Sequence, residues 1–163
     1  MAGLPPFTGV IIIDSREQKP FNFSDIIAGK LKGESLPVRY CKGTLTTGDY
    51  SLVGHTGRIA IERKSLNDLY SSLGKHNRDR FRRQIERLNE YDVARVVVEA
   101  EWTEILNHPP KFTRVKPGDV YRTINAWKQV FPRVHWDLMP DREMAELRSE
   151  EHTSELQSRQ CIS

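Results

Sequence analysis

The chain has 163 residues, 37% of them hydrophobic and 29% charged, with a formal net charge of +3. That is one ordinary domain with apolar residues enough for a real core, which excludes a disordered chain and two independently folded units. The longest uninterrupted apolar run, Val10–Ile13, excludes a membrane-spanning helix; Met1–Pro6 lacks the basic and apolar regions of a secretory signal; and two cysteines, Cys41 and Cys161, are too few for a disulfide framework or a Cys-built zinc site, so a cytoplasmic location is expected.

In chain order, Val10–Ile13 followed by Asp14 reads as a buried strand ending in a carboxylate. Asp25–Lys32 reads as a short helix after a Ser24 cap, ended by Gly33, and Leu36–Lys42 as a second strand. Thr47–Val53 and Arg58–Lys64 are alternating runs around the loop Gly54–Gly57, the pattern of a β-hairpin. Ser65 caps a helix with Asp68 three residues on; Leu66, Leu69, Tyr70 and Leu73 share its apolar face, and Gly74 stops it. A second helix runs from Arg78 to Asn89 on the stripe Phe81, Ile85 and Leu88. Val93–Ala100 is an interior strand, Thr103–Leu106 a helical turn and Asn107–Lys116 a loop. Asp119–Val130 is a helix with Val120, Ile124 and Trp127 inward, and Val134–Leu138 is a further strand. Strands alternating with helices predict a layered α/β domain with a central mixed sheet and helices on both sides. Asp141 begins a last helix, interrupted by Arg148–Ser163, which resembles a translated sequencing adapter. The expectation is a natural domain over residues 1–147, with its own C-terminus missing, and a non-native tail over 148–163. The tail holds two Arg and three Glu, which leaves 23 basic against 19 acidic residues, net +4.

The hairpin carries the chemistry. With a four-residue loop, Val53 faces Arg58 and Asp49 falls opposite Glu62, where Cβ atoms lie roughly 4.5–5.5 Å apart. Alternation points Lys64 the same way as Glu62, while Ile59 and Ile61 point to the opposite, buried face. Two carboxylates so close repel unless a cation sits between them, and oxygen ligands favour Mg²⁺ or Mn²⁺. A metal lowers the pKa of a bound water and neutralises phosphate charge, which suits phosphodiester hydrolysis. A cross-strand salt bridge on a solvated sheet face accounts equally for the spacing.

The motifs Val10–Ile13 with Asp14, Ser15, Arg16 and Glu17, then Gly48-Asp49-Tyr50, then Glu62-Arg63-Lys64 with Asp68 and Leu69, resemble the VDxRE, GDY and ERKxxxDL motifs of XPF-type (ERCC-four-type) nuclease domains. These belong to the restriction-endonuclease-like PD-(D/E)XK superfamily. The resemblance covers Val10 to Leu147. It implies a restriction-endonuclease-like fold and Mg²⁺-dependent cleavage of flapped, forked or branched DNA in repair, recombination or phage DNA processing. Carried over by position, Asp49 and Glu62 are metal ligands and Lys64 orients the water. Asp14 and Glu17 add carboxylates at the edge of the site, and Arg16 and Arg63 contact phosphate or tie the carboxylates in place. A helix–hairpin–helix module is not visible in residues 1–147, so the chain resembles the stand-alone versions of bacteria and phages. A homodimer, or a replication or recombination partner, stays open at this point.

Lys75–Arg87 holds six basic residues against Asp79 and Glu86. Lys75, Arg78 and Arg82 share a face away from Phe81 and Ile85, a stripe suited to a DNA backbone or to plain solvation. Two rival functions remain: a non-catalytic DNA-binding module of the same fold, and a nuclease acting on linear duplex DNA or RNA.

Overall fold

A computed structural model describes residues 9–22, 27–28, 36–37, 39–141, 145 and 149. Among the described residues eight strands and four helices have defined bounds: β1 (Val10–Asp14), β2 (Ile27–Ala28), β3 (Leu36–Pro37), β4 (Arg39–Gly43), β5 (Tyr50–Leu52), β6 (Ile59–Lys64), α1 (Leu66–Leu73), α2 (Arg78–Leu88), β7 (Val93–Val98), α3 (Trp102–Asn107), α4 (Pro117–Val130) and β8 (Val134–Leu138). Six of the strands form a mixed sheet in the order β4-β1-β5-β6-β7-β8, and β2 and β3 make a separate antiparallel pair. The β1–β5 and β5–β6 pairs are antiparallel; β1–β4, β6–β7 and β7–β8 are parallel. The α/β class with a central mixed sheet is therefore observed.

Each face of the sheet carries its own core. Ala60, Ala94, Val96 and Val98 meet Leu69 and Tyr70 of α1, Phe81, Ile85 and Leu88 of α2, Ile105 of α3, and Val120, Ile124 and Trp127 of α4. The opposite face gathers Ile11, Ile13, Tyr50, Leu52, Ile59, Ile61 and Val97 with Phe21 and the helical residue Ala145. The alternation of β6 explains the division: Ile59 and Ile61 go to one core, Ala60 to the other. Tyr70 anchors α1 by donating its hydroxyl proton to the Ile105 carbonyl at 2.5 Å.

Several boundaries differ from the sequence reading. Ile27 and Ala28 are strand, not helix, because they pair with Pro37 and Leu36; the rest of Asp25–Lys32 lies outside the described residues. The run Leu36–Lys42 is divided between β3 and β4, which belong to different sheets. The turn at Thr103–Leu106 is the full helix α3, and α4 starts at Pro117, a residue pre-set for a first helical position. Ser149 is helical and buried, and its hydroxyl donates to the Ala145 carbonyl at 2.9 Å; residues 148 and 150–163 lie outside the described residues. Among the described residues no helix is long and apolar enough to cross a membrane.

Candidate functional site

The site forms where β1, β5 and β6 come together at the centre of the sheet. Tyr50 faces Ile61, the register that the Gly54–Gly57 loop predicts. Just before Tyr50 the backbone bends tightly onto β6. Gly48 has φ +81°, and a Cβ there would meet the Ile61 carbonyl oxygen at 3.0 Å, so glycine is required on both counts. The bend lets the Asp49 N–H reach the Ile61 carbonyl at 2.8 Å, while the Asp49 Oδ2 accepts the Arg63 N–H at 2.8 Å.

Asp49, Glu62 and Lys64 line one cleft of ≈ 650 Å³ together with Glu17 and the start of α1. Asp49 and Glu62 also line an adjoining hollow of ≈ 310 Å³ with Asp14, Arg80, Gln84 and Arg87. The Lys64 ammonium lies 3.1 Å from Glu62 Oε1 and 4.7 Å from the Phe81 ring centroid. The pair is largely shielded, with the Glu62 side chain 6% exposed and that of Lys64 13%. The salt bridge predicted for a solvated face therefore exists, but in a partly dehydrated pocket where a second acid waits. Asp49 is pushed up to about 8, first by burial and then by the negative charge of Glu62, with Glu17 adding to the effect. One backbone N–H and Lys64 oppose the rise without overcoming it.

The remaining acids are engaged differently. Asp14 accepts from the Arg16 N–H (2.9 Å), Arg16 Nε (2.8 Å), Arg16 Nη2 (3.0 Å) and the Leu45 N–H (2.7 Å). The Arg16 bonds outweigh burial and hold its carboxyl down at about 2. Glu17 accepts from Arg63 Nε at 3.2 Å and Nη2 at 3.3 Å, and Arg63 Nη1 reaches Glu99 at 3.0 Å. Burial works against the Arg63 charge, but the two carboxylates win and raise its pKa further. Arg63 thus spends its side chain on Glu17 and Glu99, with the Phe21 ring 5.9 Å away, and its backbone N–H on Asp49. Glu99, missed in the sequence, follows directly on β7, whose Val98 pairs with Lys64; a carboxylate at the end of a strand beside β6 was the available signal. Asp68 accepts from the Ser65 hydroxyl at 2.7 Å, completing the α1 cap, and also lines the larger cleft.

The basic helix turns one flank to the acids, and the Arg78 and Arg82 stripe lies on the other. Arg80, Gln84 and Arg87 line the hollow beside Asp49 and Glu62. Arg78 and Arg82 lie against aromatic residues at the other side, Arg78 over Trp127 at 5.8 Å and Arg82 over Phe131 at 5.8 Å. Lys75 is exposed after α1 and lines neither acidic hollow. The reason is the seating of α2: Phe81, Ile85 and Leu88 fix its buried stripe, and both flanks of that stripe are basic.

Among the described residues no group of three or more His, Cys, Asp or Glu side chains is arranged as a metal cage. The donors at hand are two carboxylates of adjoining strands. Mg²⁺ keeps most of its waters and takes one or two protein carboxylates, so this donor set fits it. Asp49, crowded by Glu62 and starved of donors, is the group that a cation would relieve.

Comparison with known proteins agrees with this architecture. No match was found among curated proteins. Among solved structures the chain is similar to XPF from Aeropyrum pernix, with 23% identity and a TM-score of 0.64 over 88% of this chain and 59% of that one. It is also similar to XPF from Aeropyrum pernix in complex with DNA, with 21% identity and a TM-score of 0.62 over 93% of this chain and 66% of the other. The chain thus spans less than two thirds of the length of either structure. The ERCC4 domain matches residues 13–143, from the end of β1 past β8, and so takes in the whole acidic cleft: the chain belongs to the ERCC4 domain family and has the fold of its XPF-type nuclease domains.

Proposed function

We propose that the chain is a divalent-metal-dependent DNA endonuclease that hydrolyses phosphodiester bonds at flaps, forks or branches. The observation that carries this reading is the placement of Asp49, Glu62 and Lys64 in one shielded cleft, with Asp49 held up to about 8 by burial and by Glu62. Membership of the family and the fold shared with a protein solved on DNA support the substrate class.

Asp49 and Glu62 would hold Mg²⁺, or Mn²⁺ in its place. Bound there, the ion would make a water easier to deprotonate and offset charge on the scissile phosphate. Lys64 is tethered between the Glu62 carboxylate and the Phe81 ring, which confines its ammonium to the cleft, where it would orient the attacking water and hold a phosphate oxygen. Arg63 would act as a positioning residue: its two carboxylate partners fix β6 against the Glu17 loop, and its N–H aims Asp49. Asp14 and Arg16 would secure the wall of the hollow, since Asp14 already accepts four hydrogen bonds. Arg80 and Arg87 stand where a phosphate backbone would approach the acids, and neutralising it would make binding salt-dependent.

The test is nicking of a panel of branched, linear duplex, single-stranded and RNA substrates with Mg²⁺, with Lys64→Ala alongside. Cleavage concentrated on branched DNA, and lost by at least a hundredfold in the variant, is expected. Binding without cleavage in both Mg²⁺ and Mn²⁺ would leave a DNA-binding module instead.

A further inference from the structure

Beyond the acidic cleft, one segment combines an unpacked aromatic ring, unpaired positive charge and a groove. Phe112 is 98% exposed, whereas the next most exposed large hydrophobic among the described residues, Val130, is 57% exposed. Residues 108–117 read His-Pro-Pro-Lys-Phe-Thr-Arg-Val-Lys-Pro, with three basic residues and no acid. Among the described residues none of Lys111, Arg114 and Lys116 enters a salt bridge. Proline on both sides of the ring, at 109–110 and 117, restricts the backbone, so the ring is presented at little entropic cost.

The segment runs beside α1 and connects to the cleft. A groove of ≈ 650 Å³ lies between Phe112 with its neighbours and Asn67, Tyr70 and Ser71 of α1. Asn67 also lines the acidic cleft, so the two hollows share a wall. Past the other end of α1, a further hollow of ≈ 550 Å³ is lined by Leu73, Arg78, Arg114 and Arg122, with Asp119 as its one acid. The eight residues of α1 span about 12 Å, the length of roughly three stacked nucleotides. Acids, then an aromatic ring over a groove with amide and hydroxyl edges, then arginines, follow one another along α1 and the 108–117 segment.

We propose that this track binds the unpaired strand of the DNA substrate: Phe112 stacks on a base, the groove beside Asn67 and Ser71 takes base edges, and Arg78 and Arg114 hold the following phosphates, Arg122 being paired with Asp119. A basic groove with an exposed ring is what single-stranded nucleic acid recognises without regard to sequence, because every base has a flat face. The lack of acids in the segment disfavours a basic protein partner, and Lys111 in the groove with the arginines of the next hollow gives the track a polarity that an apolar peptide does not need. The inference rests on the nuclease reading and adds to it where the single strand lies. It also gives Arg78 a place on DNA that is separate from the acidic hollow.

The experiment is equilibrium binding by the full chain, without divalent metal so that nothing is cut, to a fork with single-stranded arms and to a blunt duplex of equal length. A 2-aminopurine base in one arm reports stacking. Phe112→Ala is expected to weaken fork binding about 5- to 150-fold, to abolish the 2-aminopurine response, and to change duplex binding less than twofold. Phe112→Trp should restore both signals, and because the ring packs against nothing neither change should alter the melting temperature. A wild-type protein that cuts forked DNA while Phe112→Ala binds fork and duplex as wild type does would overturn the track and leave the nuclease reading standing, with the groove free for a protein partner. A wild-type protein that binds neither DNA would overturn both.

Discussion

Asp14 and Asp49 sit at the ends of neighbouring strands, joined by a backbone hydrogen bond from the Asp14 N–H to the Asp49 carbonyl at 2.8 Å. Their carboxyls nonetheless live in opposite worlds. Asp14 accepts four hydrogen bonds and is held at about 2, whereas Asp49 has one backbone donor, faces Glu62 and Glu17, and rises to about 8. The contrast shows how two neighbouring central strands build both a brace and a binding group from the same residue type. A saturated carboxylate stabilises the loop it holds. An unsatisfied one stores unfavourable charge that only a proton or an incoming cation relieves.

The comparison breaks most sharply on activity. Asp49→Asn is expected to lower single-turnover cleavage of a fork by three orders of magnitude or more while DNA binding is retained, because the neutral amide keeps the shape of a carboxyl that burial and Glu62 already bias toward its neutral form. Glu62→Gln should behave alike. A variant that still cut normally would remove its residue from the site.

A smaller effect is expected at the brace. Asp14→Asn should destabilise the fold by about 1–2 kcal/mol in urea melts at pH 7, a figure discounted because Arg16 is exposed to solvent. Since folding lowers the Asp14 pKa, its contribution is complete above the ordinary value of 3.8 and is lost as pH falls through about 2. Wild type and variant should therefore converge in stability on acidification. A constant gap down to pH 2 would mean that the hydrogen bonds, not the charge, carry the effect.

The smallest differences separate the flanks of α2. Arg80→Ala and Arg87→Ala should each reduce the salt slope of duplex binding by about one, weakening all sequences alike. Arg82→Ala, whose side chain lies on Phe131, should leave duplex binding near wild type. Equal loss at all three would mean that DNA contacts the helix on both sides.

Much of the fold and of the acidic site could be read from residues alone, and the rest could not for identifiable reasons. The pairing of Tyr50 with Ile61 follows from a Gly-bounded loop and strict alternation, both local signals. Ile27 and Ala28 misled because a serine cap before an apolar run suggests a helix, while their strand depends on Leu36 and Pro37, beyond the reach of periodicity. The burial of Phe81, Ile85 and Leu88 was legible, but which basic flank meets the acids is set by how α2 seats on the sheet. The Glu99 partner of Arg63 needed the parallel register of β6 and β7, and Gly48 needed the approach of the Ile61 carbonyl. The opposite electrostatics of Asp14 and Asp49 likewise came only with the Leu45 N–H and Arg16 fork that reach one and miss the other.

The most direct test is calorimetric titration of Mg²⁺ and Mn²⁺ into the full chain at pH 7, in two buffers of different ionisation enthalpy. Burial and Glu62 push the Asp49 carboxyl up to about 8, which favours its protonated form until a cation binds. Wild type is therefore expected to bind the ion and release a proton, and Asp49→Asn and Glu62→Gln to lose that binding together. Binding unchanged in both variants, or no binding by a wild-type protein that cleaves DNA, would contradict a cation held by the two acids.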